Sequence, residues 1–477
     1  MAWAIPSLDA YKRLQVCMGQ VRFPGALFCR LRLLAVISFL CTRTKCVGAE
    51  SQRVRPYRLQ VETWLELPHS YSVISQHLLL EFLNRDDIQL SFSDLPFYNP
   101  AWKRVRGLFP PADEAALLNL KPSTIPPEGI LRIAYPFVLQ RPAESSAKVV
   151  VYGTTEWTVC QANDAFPSPA GISGRAQWEA TDVTILTASE YSRGGFLRCG
   201  VPRERVTVIP NGVDLQIFQP AGTEARATFR KRQEWEGRFV FLNVGAMTTN
   251  KGVVDLIRAF LGIQQRHPRA LLFLKGGDHL YPSLQLLVEA CANQGIDLGA
   301  LLQSGNVEYA ADPLAFRQMA ELYRAADVYV TPYRAEGFNM PVLEAAACGL
   351  AVICTRGGPT DEFTAPSFAL HVNATLEPVG NPQDTTPGGR KQWLRPDLLH
   401  LQEQMEFVMT DEGETFLEKA RQAGPAFIKS THSWTVIADR IAQLFIGNAG
   451  QDSGGVGGNE SIPEKGLSRQ TASHAEL

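Results

Sequence analysis

Residues 327–356 read DVYVTPYRAEGFNMPVLEAAACGLAVICTR, and this segment predicts the architecture around it. Asp327–Thr331 is a β-branched and aromatic run, and Leu350–Cys354 is a second apolar run of strand length. Between these two predicted strands, Pro341 marks the start of a helix and Gly349 its end. The segment therefore predicts a parallel βαβ unit. The loop after its first strand lies at the edge where open α/β sheets bind ligands.

The loop and the helix of this unit each carry a glutamate, Glu336 and Glu344. The amides of Gly337, Phe338 and Asn339 fall at the helix amino end, where unpaired N–H groups and the dipole favour an anion such as a diphosphate. Glu344, one turn into the helix, is then placed to reach hydroxyl groups beside that anion. Taken singly, Glu344 could offset the helix dipole and Glu336 could be a solvated loop residue.

With Gly-Phe after the first glutamate and Ala-Ala-Ala-Cys-Gly after the second, the pair resembles a specific motif. It is similar to the paired glutamates of retaining nucleotide-sugar glycosyltransferases of the GT-B fold, in the large family four (glycosyltransferase group 1). The resemblance implies that Glu344 binds ribose hydroxyls and that Glu336 contacts the donor sugar. It also implies an α/β fold of two doubly wound, Rossmann-like domains facing a central cleft, with a C-terminal helix crossing back.

Length and composition agree with a two-domain globular protein. A chain of 477 residues is too long for one ordinary core, and its 45% hydrophobic content is typical of a folded chain. Because 46 Lys and Arg nearly balance 48 Asp and Glu, a nucleic-acid partner gains no support. The nine cysteines form no Cys-x-x-Cys pair and no histidine cluster has ligand spacing, so neither a metal site nor a disulfide framework is predicted.

Four regions are predicted along the chain. Residues 1–49 are a targeting segment, and residues 50–214 form an N-terminal Rossmann-like acceptor domain, since strands alternate with helices there. Residues 215–446 form a C-terminal Rossmann-like domain that binds the nucleotide sugar. The turn Pro210–Asp214 marks the crossing between the two domains in the resembled family. Residues 447–477 are rich in Gly, Ser, Asn and charge, which predicts a disordered tail.

The first 49 residues carry seven Lys or Arg against one acidic side chain, Asp9, and their apolar run Leu33–Cys41 is shorter than the roughly 20 residues of a membrane span. The small-residue site Val47–Ala49 follows. These features predict a signal peptide or an organelle transit segment, with a mis-assigned gene start as the alternative. The end, His474–Leu477, reads HAEL and resembles an ER-retention tetrapeptide. The secretory pathway or ER lumen is the expected location, with the cytoplasm or an organelle as alternatives.

Lysines are the predicted partners of the diphosphate. Lys251 follows the predicted strand Phe239–Gly245 at a strand-to-helix turn, where a point positive charge suits phosphate, although a lysine there is usually just solvated. The family pattern has this lysine and also an arginine five positions earlier, where this chain has Ala246. Lys275, at the end of the next strand, is the candidate replacement. The family also packs its nucleobase after the strand that ends here at Tyr309, which is therefore a predicted donor-binding residue.

The first domain is expected to contribute a residue near the donor sugar, since family members usually place a histidine there. The candidates are His69, in the loop after the first predicted strand, and Glu156, in the segment YGTTEW. For His69, a capping or packing role is an equal alternative. The proline-rich stretch Pro96–Glu128 has no assigned place in the predicted sheet.

The predicted function is retaining transfer of a sugar from a UDP- or GDP-sugar to an unidentified acceptor, which is a glycan, a lipid or a small molecule. The mechanism that the family implies needs no metal or other cofactor. Helix dipoles and lysines stabilise the departing diphosphate, and the acceptor attacks from the face of the leaving group. Peripheral association with a membrane stays open. The first alternative is a sugar-nucleotide epimerase of the same fold. The second, because of Ala246 and the unassigned first-domain histidine, is a donor-binding or regulatory protein that has lost turnover.

Overall fold

Two parallel sheets of six strands each form the framework of the protein. The computed structural model describes residues 55–143, 145–160, 181–380 and 389–447. The predicted targeting segment 1–49 and the predicted tail beyond Gly447 lie outside the described residues.

The first sheet consists of short apolar runs that alternate with helices. Its strands are β1 (Tyr57–Thr63), β2 (Ile88–Asp94), β3 (Gly129–Ile133), β4 (Lys148–Tyr152), β5 (Thr184–Thr187) and β6 (Val206–Val208). They pair in parallel in the order β2-β1-β3-β4-β5-β6. The order reverses between β1 and β3, so the carboxyl ends of these two strands form the expected ligand crevice.

The described helices against this sheet are α1 (Ser70–Leu83), α2 (Pro111–Leu118) and α3 (Glu190–Arg198). In α1, Leu78, Leu79 and Phe82 are fully buried. We call the residues around the first sheet, 55–209, the first lobe. Its stretch 95–128 contributes α2 and no strand.

The second sheet has the strand order of a Rossmann fold. Its strands are β7 (Phe239–Val244), β8 (Ala270–Lys275), β9 (Val307–Ala310), β10 (Val328–Thr331), β11 (Ala351–Thr355) and β12 (Ala369–Val372). All pairs are parallel, in the order β12-β11-β10-β7-β8-β9, which reverses between β7 and β10. Every residue of β8, β10 and β11 is buried, as expected for a parallel sheet covered on both faces. The predicted βαβ unit is confirmed.

Helices on both faces of this sheet, and one hairpin, complete the second lobe, residues 215–431. The helices are α4 (Thr223–Arg232), α5 (Val253–Gln264), α6 (Ser283–Ala292), α7 (Leu298–Gln303), α8 (Phe316–Ala325), α9 (Met340–Ala347), α10 (Leu398–Phe407) and α11 (Asp411–Thr431). The hairpin pairs β13 (Ala374–Pro378) with β14 (Gln392–Pro396) in antiparallel register and was not predicted.

One predicted helix start differs from the structure. Lys251 and Gly252 were expected to open an amphipathic helix, but Lys251 ends a single 3-10 turn, Thr249–Lys251. The α-helix begins at Val253 because Gly252 has a φ of 68° and separates the two elements.

The last helix, α12 (Trp434–Ile446), packs back onto the first lobe as predicted. The indole of Trp434 stacks on the imidazole of His77 in α1, with ring centroids 5.1 Å apart. At the other end, the ring of Phe445 lies 6.2 Å from that of Tyr57.

The chain crosses between the lobes twice, after β6 and before α12, and the two crossings touch. The amide of Val213 donates to the carbonyl of His432 at 2.8 Å. A Cβ on Gly212 would lie 2.7 Å from the indole of Trp434, so only glycine allows this approach.

Candidate active site

The candidate site lies at the carboxyl ends of β7 and β10, where the order of the second sheet reverses. The loop after β10 carries Glu336 and the turn after β7 carries Lys251. Backbone hydrogen bonds join the two segments, since the amides of Arg334 and Ala335 donate to the carbonyl of Asn250 at 2.7 and 3.1 Å. The two predicted residues are therefore held on adjoining, mutually bonded backbone.

Asn250 also reaches the first lobe. Its Nδ2 donates to Oε2 of Glu156 and to the carbonyl of Ala335, both at 3.1 Å. The close approach of the two loops depends on Gly252, because a Cβ there would lie 1.9 Å from the carbonyl oxygen of Pro332. Sequence reasoning missed Asn250, whose one signal was its position beside Lys251.

Lys251 and Glu336 form an ion pair. The Nζ of Lys251 lies 2.6 Å from Oε1 of Glu336, and the glutamate is 6% exposed. Burial lowers the pKa of Lys251, but the charges of Glu336 and Glu156 outweigh it, so the pKa is raised above its ordinary value. The ammonium is charged at neutral pH and has two carboxyl groups beside it.

Glu156 comes from the loop after β4, so the first lobe supplies it. Burial raises the pKa of Glu156 to about 7, with the charge of Lys251 acting downwards and that of Glu336 upwards. Burial therefore favours the protonated form more than at an exposed carboxyl group, and that form is able to donate a hydrogen bond.

His69 caps α1 and also lies on the wall of the cleft. Its Nδ1 accepts a hydrogen bond from the amide of Tyr71 at 3.3 Å, so the predicted capping role and the predicted site position occur together. Burial, followed by the charge of Lys251, lowers the pKa of His69 to about 4. The imidazole is neutral at pH 7, and Nε2 is the ring atom left for a ligand.

Glu344 lies on α9 and faces the same cavity. Its Oε2 accepts a hydrogen bond from the hydroxyl of Tyr323 at 2.8 Å. Burial raises the pKa of Glu344 to about 7, and this hydrogen bond acts in the opposite direction. Tyr323, on α8, was not predicted, because no local pattern links it to α9.

Lys275 reaches the cavity at the end of β8, as does Ala246 after β7. Lys275 is 5% exposed, and its Nζ donates to the carbonyl of Gly276 at 2.6 Å. Burial lowers the pKa of Lys275 to about 8, against the charges of Asp312 and Asp278. Lys275 thus presents a cation to the cavity that Ala246 lines, and its replacement of the expected arginine stays a prediction.

The residues at the amino end of α9 line the cavity too. Within the described ranges, the amides of Gly337, Phe338 and Asn339 donate to no protein acceptor. Asn339 has a φ of 78°, and the ring of Phe338 stacks on that of Phe363 at 4.5 Å. These three amides therefore lie where the sequence predicts an anion, and none of them is used by an acceptor of the described residues.

Tyr309 takes a different position from the other predicted residues. Its hydroxyl donates to Asp278, and a Cβ on Gly276 would lie 1.8 Å from its oxygen. Burial raises its pKa. Tyr309 is absent from the described wall of the cavity, whereas Gly276, which its hydroxyl oxygen adjoins, is part of it.

One cavity of about 620 Å³ brings these residues together, a volume typical of small-molecule sites. The first lobe contributes aromatic side chains from the loops after β1, β2 and β3. We call this group the aromatic wall: Trp64, Tyr98, Trp102, Tyr135 and Phe137. Sequence reasoning missed the group because its members are scattered over three loops.

The site combines amide and lysine N–H groups at one end with carboxyl groups. Free amides, Lys251 and Lys275 provide positive charge, while Glu336 and Glu344 provide acceptors for hydroxyl groups. In the described part of the chain, no three His, Cys, Asp or Glu side chains are grouped to bind a metal ion. Among the same residues, no helix has the length and apolar character of a membrane span.

Comparison with known families matches residues 238–385 to the model described as glycosyl transferases group 1. This segment holds Lys251, Lys275, Glu336 and Glu344. This part of the chain is similar to the glycosyl transferases group 1 family.

Curated relatives match part of the chain. Mannosylfructose-phosphate synthase of Agrobacterium fabrum is 32% identical over 36% of this chain and 37% of its own length. A GDP-mannose-dependent alpha-(1-6)-phosphatidylinositol monomannoside mannosyltransferase of Mycolicibacterium smegmatis is 28% identical over 38% of this chain and 46% of its own. The chain thus spans less than half the length of these two relatives.

Solved structures resemble about four-fifths of the chain. Anabaena Alr3699/HepE in complex with UDP and glucose has a TM-score of 0.55 and 14% identity, covering 81% of this chain and 98% of its own. Sucrose-phosphate synthase from Thermosynechococcus elongatus has a TM-score of 0.56 and 16% identity, covering 82% and 98%. The likeness concerns the fold, and it confirms the predicted GT-B class.

Proposed function

We propose that the protein is a retaining glycosyltransferase that moves a sugar from a nucleoside diphosphate sugar to an acceptor. The observation that carries this proposal is the 2.6 Å contact between Lys251 and Glu336 beside the free amides of α9. One cation, one carboxylate and a helix amino end meet at the switch point of a Rossmann sheet, where such sheets bind nucleotides.

The donor is proposed to lie along the second lobe. Its diphosphate would contact the amides of Gly337 to Asn339, Lys251 and Lys275, while Glu344 accepts hydrogen bonds from the ribose. The solved Anabaena complexes contain UDP, UDP-glucose or UDP with glucose, and the mycobacterial relative is named for GDP-mannose. These names support a UDP- or GDP-sugar as the donor.

Bond cleavage places negative charge on the departing diphosphate, and Lys251 with the helix amides stabilises that charge. Glu336 orients the sugar through its hydroxyl groups and holds Lys251 in position. The acceptor hydroxyl attacks from the same face, and its proton passes to the departing phosphate oxygen. His69 and Glu156, from the first lobe, cover the sugar. In this proposal residues 50–214 bind the acceptor and residues 215–446 bind the donor.

The test is to incubate the protein with UDP-glucose and GDP-mannose, and to measure release of nucleoside diphosphate and the anomer of each product by NMR. Glu336→Gln should lower kcat about 100-fold with little change in nucleotide affinity, as for an interaction made mainly in the transition state. Glu418→Gln, on an exposed position of α11, is the matched control.

Other outcomes point elsewhere. An inverted anomer contradicts the retaining mechanism. Epimerised donor formed without acceptor supports the epimerase alternative, and nucleotide binding without any turnover supports a binding protein.

A further inference from the structure

The aromatic wall lies at the switch point of the first sheet. Trp64 follows β1, Tyr98 and Trp102 follow β2, and Tyr135 and Phe137 follow β3. Since the order reverses between β1 and β3, these loops border the crevice in which such a sheet binds ligands. The position marks a second half of the cavity, opposite the proposed donor half.

The wall is preformed by packing. Tyr98 contacts Tyr135 edge to face with ring centroids 4.9 Å apart, and Trp102 contacts Trp64 in the same way at 5.8 Å. Nε1 of Trp102 donates to the carbonyl of Leu280 in the second lobe at 2.8 Å. The aromatic faces therefore hold their orientation without a ligand.

Tyr98 is the member that a ligand would cover. It is 55% exposed, and no other aromatic side chain in the described residues is classed as exposed. A half-exposed ring on a preformed cavity offers an apolar face and a hydroxyl to a bound molecule.

The first-lobe side of the cavity lacks a cation among its described residues. Two arginines that lie close in sequence to Trp102 are paired with a carboxylate. Nε of Arg106 lies 2.7 Å from Oε1 of Glu66, and Nη1 of Arg104 lies 3.5 Å from Oε2 of the same side chain. The cations of the cavity, Lys251 and Lys275, stand on the opposite lobe, where the proposed diphosphate takes them.

We propose that the acceptor is an uncharged saccharide, whose C–H face lies on the aromatic wall and whose hydroxyl edge points to Glu156 and His69. This inference rests on the proposed function and specifies its acceptor. Polarised C–H groups match the negative face of an aromatic ring. A phosphorylated acceptor would meet that same negative face, and would lose its hydration without gaining a cation.

The experiment uses matched pairs of probes with the full-length protein. Three neutral compounds are each paired with their own phosphate: D-mannose with D-mannose 6-phosphate, D-fructose with D-fructose 6-phosphate, and myo-inositol with 1D-myo-inositol 3-phosphate. Maltose and cellobiose are added as larger neutral saccharides. Binding beside UDP is measured by saturation-transfer NMR, and transfer by product mass. Neutral members should bind at least about tenfold more tightly than their phosphorylated partners, equivalent to one unfavourable charge contact.

Tyr98 provides the second arm. Tyr98→Ala should raise the acceptor KM about tenfold, while Tyr98→Phe keeps the stacking face and stays near wild type. Donor hydrolysis without acceptor is measured in both variants as the reference for the acceptor KM. The control is Leu399→Ala, which removes an exposed apolar side chain from α10.

Three outcomes overturn the inference: equal or tighter binding of the phosphorylated members, no binding of any neutral saccharide by protein that hydrolyses its donor, and an unchanged acceptor KM in Tyr98→Ala. Failure of the proposed function itself gives a different result: the protein then neither hydrolyses the donor nor binds the nucleotide, whichever acceptor is present.

Discussion

The hydroxyl of Ser189 donates to the carbonyl of Gly337 at 2.7 Å, and this bond joins the two lobes next to Glu336. Ser189 also caps α3, where its Oγ accepts from the amide of Ser192 at 3.0 Å. A Cβ on Gly337 would lie 2.6 Å from the side chain of Thr154, so the loop with Glu336 touches the first lobe at backbone distance. The absence of a side chain at Gly337 therefore allows the contact between the lobes, in addition to the approach of a ligand.

Glu362 gives the first prediction. Its carboxylate, from the second lobe, accepts the amides of Glu190 and Tyr191 at the start of α3, both at 2.8 Å. Glu362→Ala removes a charge that complements the helix dipole and should lower kcat/KM about tenfold. The affinity for UDP, which the second lobe is proposed to bind, should change far less. Steady-state kinetics and calorimetry measure both quantities, with Glu418→Ala as the control. Equal losses in kcat/KM and UDP affinity would contradict a role in joining the lobes.

Glu344 gives a pH dependence. Its pKa is raised to about 7 by burial, and ribose hydroxyls that donate to the carboxylate favour its charged form. Binding should therefore lower this pKa and release protons, so affinity rises with pH and levels off above about 7. The affinity for UDP is measured for wild type and Glu344→Gln at several pH values. The ratio of the two affinities isolates the effect of Glu344, because protonation of UDP itself affects both proteins equally. A ratio independent of pH removes Glu344 from the ribose site.

Lys275 should show the opposite sign. Burial lowers its pKa to about 8, and a bound diphosphate favours the charged ammonium. Affinity for UDP should therefore fall as pH rises through 8, and Lys275→Met should lose this dependence along with affinity. The measurement is the ratio of the UDP affinity of wild type to that of Lys275→Met, from pH 7 to 9. An identical slope in Lys275→Met would place the diphosphate away from this lysine.

The unpredicted hairpin gives the fourth prediction. The guanidinium of Arg334 lies 4.5 Å from the ring centroid of Trp393, whose ring in turn stacks on that of Trp157 at 6.1 Å. Trp393→Ala should lower kcat/KM roughly fivefold, equivalent to about 1 kcal/mol for a lost cation–π contact beside Glu336. Trp393→Phe should recover most of it, and Leu376→Ala, exposed on the same hairpin, should have no effect. A comparable loss of kcat/KM in Leu376→Ala would mean that the effect comes from disturbed folding of the hairpin and not from the cation–π contact.

Local signals predicted the parts of the fold that local physics fixes. The strands and the helix of residues 327–356 follow from apolar runs bounded by Pro341 and Gly349, and the structure has them within a residue or two. The hairpin β13–β14 carried no such signal, since a pair of short strands on a lobe surface is specified by its contacts with Trp157 and Arg334.

The site divides in the same way. Lys251 and Glu336 follow predicted strands and Glu344 lies in the helix next to Glu336, so the topology of the sheet brings them to one edge. Asn250 and Tyr323 act through tertiary hydrogen bonds, which sequence spacing does not encode. The aromatic wall was hidden for a further reason: buried aromatic residues usually belong to a core, and Tyr98 differs from them only in its exposure.

The contact between Gly212 and Trp434 has a mechanical consequence. Both covalent links between the lobes pass through this one place, so the lobes are free to move mainly by rotation about it. Displacement then increases with distance from the axis, so the crossings stay nearly still while residues farther from them move more. A small angular change thus widens the entrance for a second substrate while the backbone around Lys251 and Glu336 moves as one piece.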